Sequence, residues 1–336
     1  MIGPVATAGR ALARQRLRSS AALAALLVAV TGCSANGGQP EQPTTINVGT
    51  MPVVDTAAFQ LALDHGYFRD AGLDVRTQRI SGGEQSLPLL ESGKLDMSFG
   101  NWPSFIRAQS QGSAHLRLVA DAYQATNGMM MLQTMPGHGV RRVEDLRGKT
   151  IGINTRDNIM ELITRAVLET HGVPQESVKF RAMPFPQLPQ ALKNGEVDAA
   201  TLNEPFISEA NRLGATTLAD AANGPTVDIP IAGYAANERF AQQNPQAVAK
   251  FQRVMQRAST EANSNRTDVE QELPRYSTVD PVTAQLVRIG RYPTSIDVRR
   301  LNRVADLMSR YHALPPGKTT DVASMVYHAP APGEGG

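Results

Sequence analysis

The chain has 336 residues, with 33 lysine and arginine residues, 31 acidic residues and a single cysteine. One cysteine excludes a disulfide framework and a thiolate metal site. Basic residues form no run and aromatic residues are sparse, so we expect no nucleic-acid partner.

The first 32 residues consist of a basic segment and a short apolar run that ends next to the single cysteine. Arginines between positions 10 and 18 precede an apolar run at 21–30, which is too short to cross a bilayer. The run ends at Val30-Thr31-Gly32-Cys33, which resembles the lipobox whose cysteine receives a diacylglycerol. We therefore predict an exported protein that is anchored to the outer face of the cell membrane through lipidated Cys33. An ordinary signal peptide with a chance cysteine is the alternative.

Removal of residues 1–32 reverses the net charge. That segment carries four basic and no acidic residues, so 29 basic side chains remain against 31 acidic ones, a net charge of −2. Residues 33–45 contain almost no apolar side chain and predict a flexible tether. Folded structure is expected from residue 46, and a disordered tail at 329–336.

From residue 46 onward, short apolar strands alternate with helical segments. This alternation predicts an α/β fold with mostly parallel sheets flanked by helices. After about residue 236 the pattern becomes helical, with Asn244-Pro245 as a helix start, which predicts a helical region at 238–328. The predicted strands lie at 46–49, 73–75, 95–99, 116–119, 128–132, 150–153, 178–180 and 198–202, and a helix lies near 158–171.

Two segments of the chain repeat each other: residues 89–103 align with residues 191–205. Each copy predicts a helix, a glycine at its end, a strand and an Asn-X-Pro loop. We infer two lobes of similar construction, 46–126 and 127–237, with hinges near 125–128 and Asn237. Ligands of open α/β sheets bind beyond the carboxyl ends of the strands, so the two loops predict a ligand cleft between the lobes. The identical pairs are Gly93/Gly195, Asp96/Asp198, Asn101/Asn203 and Pro103/Pro205.

The segments Gly66-Tyr67-Phe68 and Gly72-Leu73-Asp74-Val75 are the most specific motifs of the chain. With several other segments, they resemble the substrate-binding proteins of bacterial ABC importers, in the branch of sulfonate, nitrate and taurine receptors that also includes binders of thiamine pyrimidine precursors. The similarity covers most of 46–230. The other matching segments are 49–58, 92–96, 148–153, 194–199 and 203–205.

The resemblance implies a two-lobed, periplasmic-binding-protein-like fold of type II and a monomeric receptor. Such a receptor captures a small anion by lobe closure and delivers it to a membrane permease. An amine-bearing heterocycle such as a thiamine precursor is the alternative cargo. A lipid-anchored sensor or interaction protein without transport is a further alternative.

Catalysis is not expected. A related eukaryotic group makes the thiamine pyrimidine and carries a cysteine-rich, histidine-bearing site, whereas this chain has one cysteine, outside the predicted fold. The six histidines share no metal-ligand spacing, and we expect neither a metal nor a cofactor. No Gly-x-Ser-x-Gly elbow and no phosphate-binding loop occur.

Residues 155–158 are the first candidate ligand site, because they follow a predicted strand and open a helix. The free N–H groups of a helix start suit an anion, which Thr155 and Asn158 would border. Arg156 could form a bidentate clamp on such an anion. In the alternative, Thr155 or Asp157 caps the helix and Arg156 lies in solvent.

The first lobe and its repeat supply the other candidates. Gly82 and Gly83 precede a helix and let a ligand approach the backbone, or form a plain capping turn. Trp102 could stack on a flat ligand or pack within its lobe. Glu204 could pair with an amine or bridge the lobes.

Asp55 is expected to cap the helix that starts near Thr56, with ligand binding as the alternative. Asn101 and Asn203 are expected to orient their loops first and to touch ligand second. The predicted lining is completed by Met51, Thr56 and Tyr234.

Overall fold

The computed structural model describes residues 42–317 and 320–329. The predicted signal peptide, Cys33, most of the predicted tether and nearly all of the predicted tail lie outside the described residues. No helix within the described ranges has the length and apolar character needed to cross a membrane.

The described residues alternate between strands and helices, as the sequence predicted. The strands are β1 (Thr44–Thr50), β2 (Leu73–Arg79), β3 (Met97–Asn101), β4 (Leu116–Gln124), β5 (Met130–Thr134), β6 (Thr150–Ile153), β7 (Lys179–Ala182), β8 (Ala199–Asn203), β9 (Thr216–Asp220) and β10 (Pro230–Asn237). The helices are α1 (Ala57–Asp64), α2 (Tyr67–Asp70), α3 (Gly83–Glu91), α4 (Trp102–Gln111), α5 (Ile159–Thr170), α6 (Leu188–Lys193), α7 (Phe206–Arg212), α8 (Glu238–Gln243), α9 (Pro245–Ser264), α10 (Arg266–Tyr276), α11 (Pro281–Ala284), α12 (Val298–Arg310) and α13 (Val322–Met325).

The strands form two five-stranded sheets of the same design. The first has the order β2-β1-β3-β10-β4 and the second the order β7-β6-β8-β5-β9. In each sheet three strands pair in parallel and one strand, β10 or β5, runs antiparallel to its neighbours. We call the residues around the first sheet the first lobe and those around the second sheet the second lobe. The predicted two-lobed α/β fold is confirmed.

The internal repeat corresponds to equivalent positions in the two sheets. Asp96 precedes β3 and accepts a hydrogen bond of 2.8 Å from the N–H of Asn47. Asp198 precedes β8 and accepts an equivalent bond of 2.8 Å from the N–H of Thr150. Each aspartate thus ties the central strand of its sheet to the neighbouring strand, which explains why both copies carry it.

Two predicted boundaries differ from the structure. We expected the second lobe to extend to residue 237, but β10 pairs with β3 and β4 and therefore belongs to the first lobe. Asn237 is thus not at a crossing between lobes; it ends β10 and caps α8. The first strand begins at Thr44 rather than at residue 46, because Thr44 and Thr45 pair with β2.

The chain crosses between the lobes twice, between β4 and β5 and between β9 and β10. The crossings lie side by side, since the N–H of Ala125 donates to the carbonyl of Ile229 at 2.9 Å. The N–H of Gly128 donates to the carboxylate of Asp220 at 2.8 Å. The first crossing coincides with the predicted hinge at 125–128.

The C-terminal helices pack mainly on the first lobe. Helix α9 lies against α1 and β4, and α12 lies against α4. The rings of Phe68 and Phe251 stack at 5.4 Å between centroids, and Phe251 also contacts Tyr234 at 5.3 Å. This aromatic core packs against the first sheet and supports its strands.

Candidate functional site

A cavity with an empty volume of about 410 Å³ lies between the two lobes. It forms where β3 and β8 end and where the antiparallel strands β10 and β5 begin, because Ala232 lies opposite Asn101 and Met130 lies opposite Asn203. The first lobe contributes Met51, Val53, Asp55, Gly82, Gly83, Phe99, Asn101, Ile231 and Ala232. The second lobe contributes Met130, Asn154, Asn158, Ile159, Met160, Phe185 and Asn203.

Asp55 and Asn203 join the two lobes within this cavity. Burial raises the pKa of the Asp55 carboxyl from 3.8 to about 7, while its own backbone N–H and the Asn203 side chain stabilise the ionised form. No side-chain capping bond is made at the start of α1. Asp55 is therefore a lining residue rather than the helix cap that we expected.

The asparagines of the cavity present both donors and acceptors. The Oδ1 atom of Asn203 is buried and has no hydrogen-bond partner within the described ranges. The Oδ1 atom of Asn101 accepts from the N–H and hydroxyl of Ser104 at 3.0 and 2.9 Å, which leaves its Nδ2 group toward the cavity. Asn158 caps α5 and donates its Nδ2 to Asn154 at 2.7 Å. A solute with both kinds of group can pair with these side chains.

The charge of the cavity is acidic. Asp55 is the one charged side chain among the described residues that line it, and no lysine or arginine does. The carboxylate of Glu84 lies close to Gly82, and its Oε2 atom is buried without a partner among the residues described. Apart from the asparagines and the two glycines, the remaining wall is apolar, and it includes methionine and phenylalanine side chains. An inorganic anion would find no cationic side chain here.

The structure brings seven of the thirteen predicted ligand residues to the cavity, and it separates the other six from it. The seven are Met51, Asp55, Gly82, Gly83, Asn101, Asn158 and Asn203. The six are Thr56, Trp102, Thr155, Arg156, Glu204 and Tyr234.

Arg156 is engaged by a buried carboxylate. Its Nε and Nη2 donate to Glu161 at 2.8 and 3.2 Å, and Arg165 donates to the same carboxylate at 2.5 Å. Burial opposes ionisation of Glu161, but hydrogen bonds from Arg156, the N–H of Asp157 and Arg165 outweigh it and lower the pKa. Arg156 therefore supports the loop before α5, and the anion clamp that the sequence left open for it stays a prediction.

Thr155 and Thr56 shape loops beside the cavity. A Cβ at Gly82 would lie 3.4 Å from the Thr155 hydroxyl, so these residues of opposite lobes face each other. The Thr56 hydroxyl donates to the carbonyls of Met51 and Val53 at 2.8 and 3.0 Å. Thr56 thus holds the turn that places Met51 and Asp55.

Trp102 and Tyr234 belong to the core of the first lobe: Trp102 takes the second of the two roles that the sequence left open, and Tyr234 does not line the cavity as predicted. Both are fully buried. The Trp102 ring lies over Gly233 and against Phe105, because α4 starts at Trp102 and directs the side chain away from the strand end. Tyr234 packs its ring against Phe99 with 5.7 Å between centroids.

Glu204 bridges the two lobes instead of lining the cavity. Its carboxylate accepts from the N–H and hydroxyl of Ser208 at 3.1 and 3.0 Å. Burial raises its pKa, and the backbone N–H and charge of Arg288, which follows the C-terminal helices α10 and α11, act in the opposite direction. The structure thus agrees with the second of the two roles that the sequence left open.

Sequence reasoning missed nine lining residues. Asn154 directly follows β6, so the rule that placed Asn101 and Asn203 at strand ends would have found it. Met130, Ile231 and Ala232 stand at the beginnings of antiparallel strands, which that rule does not cover. The other missed residues are Val53, Phe99, Ile159, Met160 and Phe185.

Ion pairs connect the lobes around the cavity. Arg107 on α4 pairs with Asp157 of the second lobe. At the other side, Arg310 pairs with Glu169 at 2.6 Å and Tyr311 donates to the same carboxylate at 2.7 Å. These pairs join groups that are about one-third exposed or more, and each can form only when the lobes are close together.

The described residues form a two-lobed α/β fold of the periplasmic-binding-protein type, with a cavity between the lobes. The sequence profile of the NMT1/THI5-like family matches residues 53–267, and the chain belongs to this family. The resemblance inferred from the sequence motifs is thereby confirmed at the level of the family.

Relatives and solved structures agree with this class. A "Putative aliphatic sulfonates-binding protein" of Bacillus subtilis is 28% identical over 247 residues, which are 70% of this chain and 71% of that protein. The alkanesulfonate-binding protein SsuA of Xanthomonas axonopodis, solved with MOPS, superposes with a TM-score of 0.72 at 18% identity, over 85% of this chain and 99% of that one. The nitrate-binding protein NrtA of Synechocystis gives a TM-score of 0.72 at 14% identity, over 84% and 85%. These two structures share the fold.

Proposed function

We propose that the chain is the solute-binding receptor of an ABC importer and encloses a small organic solute that carries N–H donors. The observation that carries this proposal is the pairing of Asp55 with Asn203 in a cavity lined by both lobes. Both side chains offer acceptor oxygens, and buried acceptors are costly unless they are hydrogen-bonded. A solute with an amine or amide group satisfies both.

The lining favours an amine-bearing solute over a simple anion. No described cationic side chain lines the cavity, and the carboxyl groups of Asp55 and Glu84 lie in or beside it. An aminopyrimidine or a comparable planar amide has donors for Asp55 and acceptors for the asparagine Nδ2 groups. This is the cargo that the sequence analysis gave as its alternative.

A small sulfonate or nitrate is the second candidate, supported by one structural feature and by the names of relatives. Helix α3 starts at the cavity, and no side chain caps its first N–H groups. Such N–H groups bind anions. Taurine carries both kinds of group: its amine would bind Asp55 and its sulfonate would face the start of α3.

Delivery of the solute requires a membrane permease. We propose that lipidated Cys33 anchors the receptor to the membrane that contains this permease. The lipobox-like residues 30–33 support the anchor. Two acyl chains hold a protein on a membrane far better than one. Replacement of Cys33 by Ser is expected to move the chain from the membrane fraction to the soluble fraction. Retention of the Cys33→Ser chain at the membrane would contradict the anchor.

A thermal-shift panel on the purified full chain tests the receptor role. The panel contains aminopyrimidines, taurine, alkanesulfonates, nitrate and bicarbonate. A solute at 100 times its dissociation constant adds about 2.7 kcal/mol to the free energy of unfolding. Aminopyrimidines and taurine are expected to raise the melting temperature more than nitrate or bicarbonate, and no shift by any compound would contradict the proposal.

Two carboxamide replacements separate a direct ligand contact from general destabilisation. Asp55→Asn removes a lining carboxylate, and Glu204→Gln removes a buried carboxylate outside the cavity. The ligand-induced shift is expected to disappear in the first variant and to persist in the second.

A further inference from the structure

A second cavity adjoins the ligand cavity and shares Met51, Val53 and Phe185 with it. Its empty volume is about 860 Å³, roughly twice that of the ligand cavity. We call it the outer groove. The same three apolar side chains line both spaces, so they lie between the ligand cavity and the outer groove.

Both lobes build the outer groove, mainly from apolar side chains, with Ser81 and Gln85 as its uncharged polar residues. The first lobe contributes Pro52 and Ile80, and the second contributes Pro184, Pro186 and Phe206. The rings of Phe185 and Phe206 stack with 5.3 Å between centroids and an angle of 3°. Transfer of apolar groups from water onto such a surface is favourable, at about 0.8 kcal/mol per buried methylene.

One cationic side chain, Arg79, stands at the outer groove. It ends β2, is exposed, and is the one charged residue among the described residues that line this groove. No hydrogen bond or ion pair engages its guanidinium within the ranges that the structure describes. Arg76, on the same strand but outside the groove, pairs with Asp74 at 3.3 Å. The charge order from cavity to groove is therefore acidic, apolar and basic.

We infer that the cargo is an elongated molecule with an amine or amide head, an apolar body and an acidic far end. The head binds at Asp55 and Asn203, the body passes Met51 and lies on Phe185 and Phe206, and the acidic group pairs with Arg79. This inference rests on the proposed receptor function and specifies its ligand. The shared lining of the two cavities and the charge order carry it.

Titration calorimetry with ω-amino acids tests the inference on the full chain at pH 8. The series is glycine, 4-aminobutyrate, 6-aminohexanoate and 8-aminooctanoate, with hexylamine and octylamine as probes without the acid. Beyond the length that fills the ligand cavity, the dissociation constant is expected to fall about fourfold per added methylene. A dissociation constant that does not change along the series would overturn the inference.

Variants of residues in the outer groove test which side chains produce the gain in affinity per added methylene. Phe206→Ala is expected to remove most of the gain per methylene while glycine and 4-aminobutyrate bind as before. Arg79→Gln, at an exposed position that folding tolerates, is expected to weaken 8-aminooctanoate about two- to fivefold and to leave octylamine unchanged. Arg76→Gln is the matched control without effect. The assignment is overturned if Phe206→Ala weakens the binding of short and long ligands equally. It is also overturned if Arg79→Gln binds 8-aminooctanoate as tightly as the wild type does.

The experiment distinguishes the inference from the receptor function. If an aminopyrimidine binds and the longer ω-amino acids gain nothing over the short ones, the groove serves only as contact surface between the lobes, and the elongated cargo is wrong. If neither the series nor the aminopyrimidine binds, both proposals fall.

Discussion

The carboxyl group of Asp55 and the side-chain amide of Asn203 meet between the two lobes, although 148 positions separate them along the chain. Asp55 comes from the turn before α1, and Asn203 ends β8. Their contact exists only while the lobes are close together. A solute that pairs with both side chains therefore stabilises the closed form over the open form, which is how ligand binding shifts such an equilibrium.

Asp55 is expected to make the stability of the ligand-free chain fall as the pH rises from about 4 to 7. In this window the folded carboxyl, with its pKa raised to about 7, keeps its proton, while the unfolded carboxyl has lost it. The unfolded state then binds fewer protons, so the free energy of unfolding decreases by up to about 1.4 kcal/mol per pH unit. Urea denaturation of wild type and Asp55→Asn at pH 5, 6, 7 and 8 measures the difference. Parallel stability curves would contradict the raised pKa.

Glu161→Gln is expected to destabilise the chain by about 2–4 kcal/mol, because Arg156 and Arg165 would lose their buried counterion. Thermal or urea unfolding measures the cost. The control is Glu196→Gln, which breaks an exposed pair with Arg181 and is expected to change stability by less than about 1 kcal/mol. If Arg156→Gln abolished solute binding and left stability unchanged, Arg156 would be a ligand residue after all.

Gly233→Ala is expected to destabilise the first lobe by about 3 kcal/mol or more. The added Cβ would collide with the Trp102 ring and lie 2.5 Å from the carbonyl oxygen of Ala120, and a packed backbone cannot yield easily. Gly93→Ala provides the comparison, since its φ of 72° costs an alanine about 1–2 kcal/mol but its surroundings are open. If Gly93→Ala has a lower free energy of unfolding than Gly233→Ala, Trp102 is loosely packed.

Arg107→Gln is expected to favour opening of the lobes, because it removes the ion pair with Asp157 across the cleft. Both groups are partly exposed, so the pair contributes about 0.2–1 kcal/mol and the open population rises by at most about fivefold. Small-angle scattering of the ligand-free chain at low salt should give a larger radius of gyration for Arg107→Gln. Arg181→Gln, which breaks a pair within the second lobe, should not change the radius. If the radius of gyration of Arg107→Gln equals that of the wild type, contacts other than the Arg107–Asp157 pair hold the lobes together.

The repeat in the sequence predicted where part of the site lies. Asn101 and Asn203 occupy equivalent strand ends, and carboxyl ends of parallel strands meet at one edge of a sheet. Asn158 was predicted because it follows the next strand of the second lobe. For these residues, local strand and helix signals determine the position in the fold.

The lining residues that the sequence did not reveal, and the candidates that lie away from the cavity, depend on packing between distant segments. Trp102 is adjacent to Asn101, yet the first turn of α4 directs its ring into the core. Arg156 precedes a helix as an anion ligand would, but a buried glutamate five positions later engages it. The beginnings of β5 and β10 reach the cavity because these strands run antiparallel, which no short sequence pattern specified.

Titration calorimetry of the full chain at pH 8 tests the central claim most directly, with 4-aminopyrimidine and ethanesulfonate as ligands. We predict that 4-aminopyrimidine binds with one site per chain and that Asp55→Asn weakens it about tenfold or more, since hydrogen bonds to charged groups contribute about 1.5–3 kcal/mol. Tighter binding of ethanesulfonate, with the same affinity in wild type and Asp55→Asn, would contradict the claim that the Asp55–Asn203 cavity selects a solute with N–H donors.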